Sequence, residues 1–380
     1  MHAPACPTGG RGTGLQVAEI FRRHGAEYAE AHPLSARQRK VLTAVMRCRT
    51  AALGGHLDTC THCGEQRISY NSCRDRHCPT CQNADQERWI RERQSRVLNT
   101  HYFHVVFTLP EPLRAIAAGY PKVVYDALFA AGSETLLVLG RQRFDATLGV
   151  TAVLHTWTRA MLLHPHIHCI VTGGGLTRDR RRWAAAPRNF LFPVAVMRKL
   201  FRGKLLAALD RAYTAGKFIA DDWARIKRSL HRKTWVVYAK RPFGGPEQLF
   251  EYLGRYTHRV AISSSRILEL RDDAITLRTR GEGSVRVAPG EFIRRFLLHV
   301  LPTGFRKIRH YGLASPSGVA KLLPTAAQLL GPTPAPHATS DKPATPDTQV
   351  CPVCRVGRLV RTSIPRPAGL PVLPRWRDTS

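Results

Sequence analysis

Apolar positions such as Val41, Leu42 and Val45 recur among basic residues over roughly Leu15–Arg49, the pattern of a helical stretch. The run QERWIRERQSRVL (Gln86–Leu98) predicts a second, basic amphipathic helix. Beyond it the period changes. Tyr102–Leu109 (YFHVVFTL) has the aromatic and β-branched content of a buried strand, stopped by Pro110 and Pro112. Further strands are predicted at Val150–Trp157 and Leu163–Val171, the latter ended by Gly173–Gly175, with a helix at Lys122–Leu139 before them. Residues 194–230 read as largely helical, Trp235–Lys240 as a short strand, and a helix begins near Pro246. Two short strands, around Ser265–Leu270 and Ala274–Arg278, flank a turn at Asp272–Asp273.

This order of elements predicts an α+β fold, with an antiparallel sheet flanked by small metal modules. The boundaries follow composition. Residues 1–14 are rich in Gly and Pro and are expected to be disordered. Residues 15–98 form a helical, cysteine-bearing domain, and 99–314 the sheet domain. The prolines at 324, 332, 334, 336, 343 and 346 mark 315–350 as a linker, and 351–380 is a tail carrying a CxxC knuckle. No internal repeat is present.

Charge narrows the function. The chain has 58 Lys and Arg against 27 Asp and Glu, a formal charge of +31, which favours a polyanion because each neutralised phosphate releases counterions. We expect no membrane partner, since no apolar run approaches the ~20 residues a span needs. The start MHAPACPTGGRGTG has no apolar core of a signal peptide, so a cytoplasmic location is expected. There, thiols stay reduced, and the 10 cysteines point to metal rather than disulfides.

Cys60-x-x-Cys63 and Cys78-x-x-Cys81 are two knuckles that together supply the four thiolates of a tetrahedral zinc site. Cys73 and His77 are further candidate ligands in the same segment, with His56 and His62 spare. Arg67, Arg74 and Arg76 put positive charge on the module, suiting DNA docking or simply a solvated face. Cys351-Pro-Val-Cys354 has no downstream partner pair and is half a site.

The segment LLHPHIHCIVTGGG (Leu162–Gly175) places His164, His166 and His168 on one face of a strand, with Ile167, Cys169 and Val171 on the other. Two imidazoles at i and i+2 on a rigid strand can grip one divalent ion. Downstream, Tyr252 and Tyr256 stand at i and i+4, neighbours on one helical face. With Leu249 and Leu253 they also fit an ordinary core stripe. Arg255, His258 and Arg259 surround the pair with phosphate-binding charge. A phenol, with pKa near ~10, is a poor nucleophile unless the phosphate it attacks is polarised. Arg306, Lys307 and Arg309, beside Phe305 and Tyr311, suit a groove that tracks a nucleic-acid backbone, or a plain basic loop.

Together these residues resemble the rolling-circle, two-tyrosine branch of the HUH insertion-sequence transposases. The likeness rests on His166-Ile167-His168 followed by Tyr252-x-x-x-Tyr256. SCRDRHCPTC, FTLP (Phe107–Pro110), HTW (His155–Trp157), YLGRYTHRVAIS and LPTGFRKIRHYG (Leu301–Gly312) fall in the family's order, so the resemblance covers roughly Phe21–Leu313. It implies an N-terminal zinc-binding, DNA-binding domain and an RRM-like catalytic domain, a five-stranded antiparallel sheet with the His pair on a central strand. It further implies Mg²⁺ or Mn²⁺ at His166 and His168, with His164 a less certain ligand, and Tyr252 and Tyr256 as nucleophiles forming a 5′-phosphotyrosine. A third polar ligand is expected, with Glu251 and His258 as guesses. The implied partners are single-stranded and element-end DNA; recruitment of a host replication helicase is left open, and the sequence contains no GxxxxGK[ST] loop. An HUH replication initiator or relaxase, and a non-catalytic zinc DNA-binding protein, are the alternatives.

Overall fold

A proline and a capping box divide the first helical stretch. Helix α1 (Val17–Ala31) is followed by Pro33, and α2 (Ala36–Arg47) starts at Ser35, whose hydroxyl accepts from the Gln38 N–H while the Ser35 N–H donates to the Gln38 side chain. The expected single stretch is therefore two helices. Strands β1 (Gly55–Cys60) and β2 (Gln66–Tyr70) then form a hairpin around Cys60 and Cys63. The computed structural model describes residues 15–81, 96–240, 261–332 and 350–368 of the chain. The expected helices at 86–98 and from 246 fall wholly or largely outside the described residues.

The sheet domain begins with β3 (Tyr102–Thr108), a short helix α3 (Arg114–Gly119) and the long α4 (Pro121–Phe144). The last is long and apolar enough to cross a membrane by length and composition, contrary to the expectation of no such run, and most of it is buried in the core. Next come β4 (Ala146–Trp157), β5 (Leu163–Thr177) and β6 (Trp183–Ala185). The Gly173–Gly175 triplet does not end β5. At Gly174 φ is +136°, and a Cβ there would sit 2.4 Å from the Ala184 carbonyl oxygen, so the glycines let β6 pair closely with the strand's far end. The region expected to be largely helical is α5 (Val194–Thr214) and α6 (Trp223–Arg232), separated by a turn in which Gly216 takes φ +66°. The edge strand β7 (Val237–Lys240) closes this part.

Strands β8 (Ile267–Leu270) and β9 (Ile275–Arg278) flank the Asp272–Asp273 turn as expected, and β10 (Ser284–Val287) adds a third strand. Helix α7 (Pro289–Leu297), strand β11 (Ile308–Gly312), helices α8 (Pro316–Lys321) and α9 (Leu323–Leu330) and strand β12 (Leu359–Ile364) complete the order.

Contacts divide the chain into two units, and the division differs from the 15–98 and 99–314 boundaries. The described part of one unit holds the N-terminal residues through Cys81, Ile262–Val300 and the C-terminal 350–368. Aromatic packing explains why 262–300 belongs there: Phe21 of α1 meets Phe296 and Phe292 of α7 edge-on, at centroid distances of 5.0 and 6.4 Å. Nor is 351–368 a loose tail, because β12 pairs with β1 in antiparallel register from Gly55↔Ile364 to Cys60↔Leu359. The start of the 315–350 linker is also ordered, as α8 and α9; residues 333–349 lie outside the described residues.

The other unit is built on an antiparallel sheet in the order β11-β4-β5-β3-β7, with β6 paired to β5 off that path. The chain thus has the α+β architecture with an antiparallel sheet that the sequence predicts, with β5 at the centre. Along β3, β4 and β5 one sheet face, carrying Val105, Phe107, Ala152, Leu154, Ile167, Cys169 and Val171, is apolar and packs under α4 and α5. A Cβ at Gly132 of α4 would lie 2.5 Å from Ile167 Cδ1 and 3.1 Å from Phe107, so helix and sheet meet closely directly behind the histidine strand. Gly132→Leu is expected to overpack this contact and lower stability by roughly 1–3 kcal/mol. The check is the denaturant midpoint, and an unchanged midpoint would contradict the packing described.

Candidate metal centres and nucleic-acid interface

Opposite the apolar face, the same sheet carries imidazoles. Register decides which ones meet: His155 of β4 is the direct partner of His166 on β5, and Val153 of His168. Side chains of directly paired residues share a face, so His155, His166 and His168 converge, and one ring nitrogen from each lies within 4.8 Å of the others. The ring centroids of His155 and His168 are 4.2 Å apart, and those of His166 and His168 4.9 Å. His155 was not among the candidate ligands expected from sequence. A lone histidine within HTW carries no periodicity, and only the strand pairing assigns it a place. The Glu251 and His258 guesses lie outside the described residues.

Two hydrogen bonds orient the pair on β5. His166 Nδ1 lies 2.6 Å from the His164 carbonyl oxygen, to which it donates, which leaves Nε2 as the lone-pair nitrogen. His168 Nδ1 lies 2.7 Å from Nε2 of His104 on β3, the ring diagonal to it across the ladder. Burial pushes His166 and His104 down to about 4, and it drives His155 and His168 well below the ordinary imidazole range, helped by charge from neighbouring histidines and Lys307. All four are neutral at pH 7, the state in which imidazole can donate a lone pair. This donor set fits a divalent cation. His164 is not part of the group: its Nδ1 accepts from the Arg114 guanidinium at 3.0 Å.

The cysteines also sort differently from the expected single shell. Cys78 and Cys81 converge with Cys48 and Cys73, whereas Cys60 and Cys63 converge with Cys351 and Cys354. In the first group the Cys81 sulfur lies 3.5 Å from that of Cys48 and 3.6 Å from that of Cys73. The physical reason is that β1 carries Cys60 and Cys63 away along the hairpin, while the end of α2 delivers Cys48. His77 is no member of either group. It is fully buried, its Nδ1 sits 2.9 Å from Asp75 Oδ1, and Arg37 approaches the same carboxylate at 3.6 Å. Burial outweighs Asp75 and pushes His77 down to about 4, while the bonds and charge of His77 hold Asp75 at about 2 against its own burial.

Of the basic residues at 306–309, Arg309 lies on β11, while Arg306 and Lys307 lie in the irregular segment that leads into it. The Lys307 carbonyl accepts from the Leu154 N–H at 3.0 Å, and the Lys307 ammonium lies 5.0 Å from the Trp157 ring centroid on the strand that bears His155. A groove of about 790 Å³ is lined by Lys122, Asp126, Phe305, Arg306, Arg309 and Tyr311. Arg309 is committed internally: it pairs with Asp126 and its guanidinium lies 4.3 Å from the Phe129 and 4.9 Å from the Phe305 centroid. Phe305 itself is buried against Tyr125 and Phe129, which rules it out as a platform for a stacked base. The exposed cations among the described residues of the groove are Arg96, Lys122 and Arg306. Tyr252, Tyr256, Arg255 and Arg259 lie outside the described residues.

Residues 149–321 match the family model described as "Putative transposase", and residues 20–109 the one described as "Transposase zinc-binding domain". Over 397 aligned residues, spanning 97% of this chain and 99% of the relative, the sequence is 43% identical to "Putative transposase y4qJ" of Sinorhizobium fredii. The chain belongs to the IS91/IS801 family of rolling-circle HUH transposases. It is also 26% identical, over 78% of its own length and 76% of the relative's, to the "Transposase for insertion sequence element IS801" of Pseudomonas savastanoi pv. phaseolicola. No solved structure matches. The transposase thus has a zinc-binding domain, and the matched segment takes in Cys48, Cys73, Cys78 and Cys81 together. Cys48→Ser is accordingly expected to lower zinc content and reduce the apparent Tm by at least ~2–4 °C, the shift that one kcal/mol produces in a unit of this size. Unchanged zinc and Tm would remove Cys48 from the ligand set.

Proposed function

We propose that this transposase nicks and rejoins single-stranded DNA at the ends of its mobile element through a 5′-phosphotyrosine, in rolling-circle transposition. The supporting observation is the trio His155, His166 and His168 on adjacent strands, neutral by burial and with the β5 pair oriented by hydrogen bonds. These three would hold Mg²⁺ or Mn²⁺. A bound divalent cation supplies Lewis-acid polarisation of a phosphate oxygen and offsets charge in the transition state. Imidazole-rich donor sets suit the softer Mn²⁺ better than Mg²⁺.

Tyr252 and Tyr256 are the nucleophiles in this reading. The phenol oxygen bonds to phosphorus, the P–O3′ bond breaks, the phenolic proton is released to solvent, and the departing 3′ oxygen takes one up. One phosphoester replaces another, so rejoining needs no nucleotide cofactor. A second tyrosine allows a further cut while the first end is held. Lys307, whose charge acts on His155 and His168, is proposed to meet the strand's phosphates, and Arg96, Lys122 and Arg306, exposed on the groove, to bind phosphates further along the strand. Arg255 and Arg259 are proposed to hold DNA beside the tyrosines. Strand displacement falls to a host replication helicase.

The test is to incubate the protein with single-stranded oligonucleotides from the element ends and Mn²⁺ or Mg²⁺. Covalent protein–DNA adducts are expected, with Mn²⁺ effective at lower concentration, and they should disappear in the Tyr252→Phe, Tyr256→Phe double variant. Binding without any adduct would instead support a non-catalytic DNA-binding protein. His104→Ala should raise the Mn²⁺ concentration for half-maximal adduct formation by ~10–100-fold, as loss of a ligand-orienting partner does. His155→Ala should raise it at least as far. If His155→Ala leaves the metal requirement unaltered, the three-histidine centre is wrong.

A further inference from the structure

The second cysteine group joins segments nearly at opposite ends of the chain. The matched zinc-binding segment ends at residue 109, so it includes Cys60 and Cys63 but neither Cys351 nor Cys354. We propose that Cys60, Cys63, Cys351 and Cys354 form a second, separate structural zinc site, and that this metal fastens the C-terminal segment onto the β1–β2 hairpin.

Geometry carries the assignment. A ZnS₄ tetrahedron with bonds of ~2.3 Å has sulfur–sulfur edges of about 3.8 Å. The Cys60–Cys354 and Cys63–Cys351 sulfur separations are 3.7 and 3.8 Å, and all four sulfurs lie within 4.8 Å of one another. Disulfides need about 2.05 Å, well short of this spacing.

Each knuckle also has the turn that a chelating CxxC requires. In one, the Gly64 N–H donates to the Cys60 carbonyl and the His62 N–H to the Cys60 sulfur. In the other, the Arg355 N–H donates to the Cys351 carbonyl and the Gly357 N–H to the Cys354 sulfur. The two loops are close enough that a Cβ on Gly357 would come within 2.5 Å of the Cys60 sulfur.

The surrounding backbone docks the knuckles in register. Thr61 and Arg358 exchange hydrogen bonds, the Thr61 N–H to the Arg358 carbonyl and the Arg358 N–H to the Thr61 hydroxyl. The β1–β12 ladder runs on from there, with Asp58 bidentate to Arg361 at 2.7 and 3.0 Å. The sheet β12-β1-β2 itself has little core to hold it: of β12, every residue is exposed or half-buried, and Ile68 and Tyr70 of β2 are exposed. A metal is what makes so small a sheet stable.

The experiment is metal analysis on the full-length protein purified without chelator. Two zinc ions per chain are expected, falling to one in the Cys351→Ser, Cys354→Ser double variant. A single zinc in the wild type, or two in the variant, would overturn the proposal. Because that variant can fail to fold, a second readout uses the wild type alone. Alkylation mapped by mass spectrometry, with and without prior zinc removal by a chelator, should show Cys60, Cys63, Cys351 and Cys354 becoming reactive together. Cys351 and Cys354 modified equally fast before and after chelation would refute the site.

Discussion

The antiparallel register of β4, β5 and β3 is the constraint on which the histidine cluster depends. A shift of one residue in β4 against β5 would turn His155 into the apolar core and bring Leu154 out among the imidazoles. That slip is opposed from behind, since Leu154, Ile167 and Cys169 are all fully buried on the helix-covered face. The packing that stabilises the sheet is therefore the same packing that aims the three imidazoles at one another. Burial has a second effect: it keeps the four imidazoles neutral, so the fold presents lone pairs rather than positive charges where the three rings converge.

The zinc-binding unit solves a different problem. Its strands are short and partly exposed, and its apolar packing is concentrated where α1, α2 and α7 meet. Thiolate clusters stand in for core at the positions where the chain has to be tied, one at the end of α2 and one where β12 returns to β1. The Asp75–His77–Arg37 group shows polar residues used for the same purpose, a buried network in which each member has a partner.

Charge is distributed between fold and function. Arg309, read in sequence as a DNA contact, is turned inward onto Asp126 and two phenylalanine rings, whereas Arg306 and Lys122 face the groove. A net charge of +31 says that a polyanion is favoured, but not which cations are spoken for inside the protein.

Local pattern was sufficient for much of this. Alternation in HPHIHC put His166 and His168 on one face and Ile167 and Cys169 on the other, and the aromatic and β-branched runs marked β3, β4 and β5, because a two-residue period is a property of the strand alone. The motif order likewise carried the family. What sequence by itself left open is every partnership between distant segments: His155 with His166, Cys48 with Cys81, Cys60 with Cys354, and α1 with α7. Two knuckles adjacent in sequence read as one site because spacing reports only what a single turn can chelate. Strand pairing and helix packing decide which turns actually face each other, and those long-range contacts are selected by burial over the whole chain, which no local window contains.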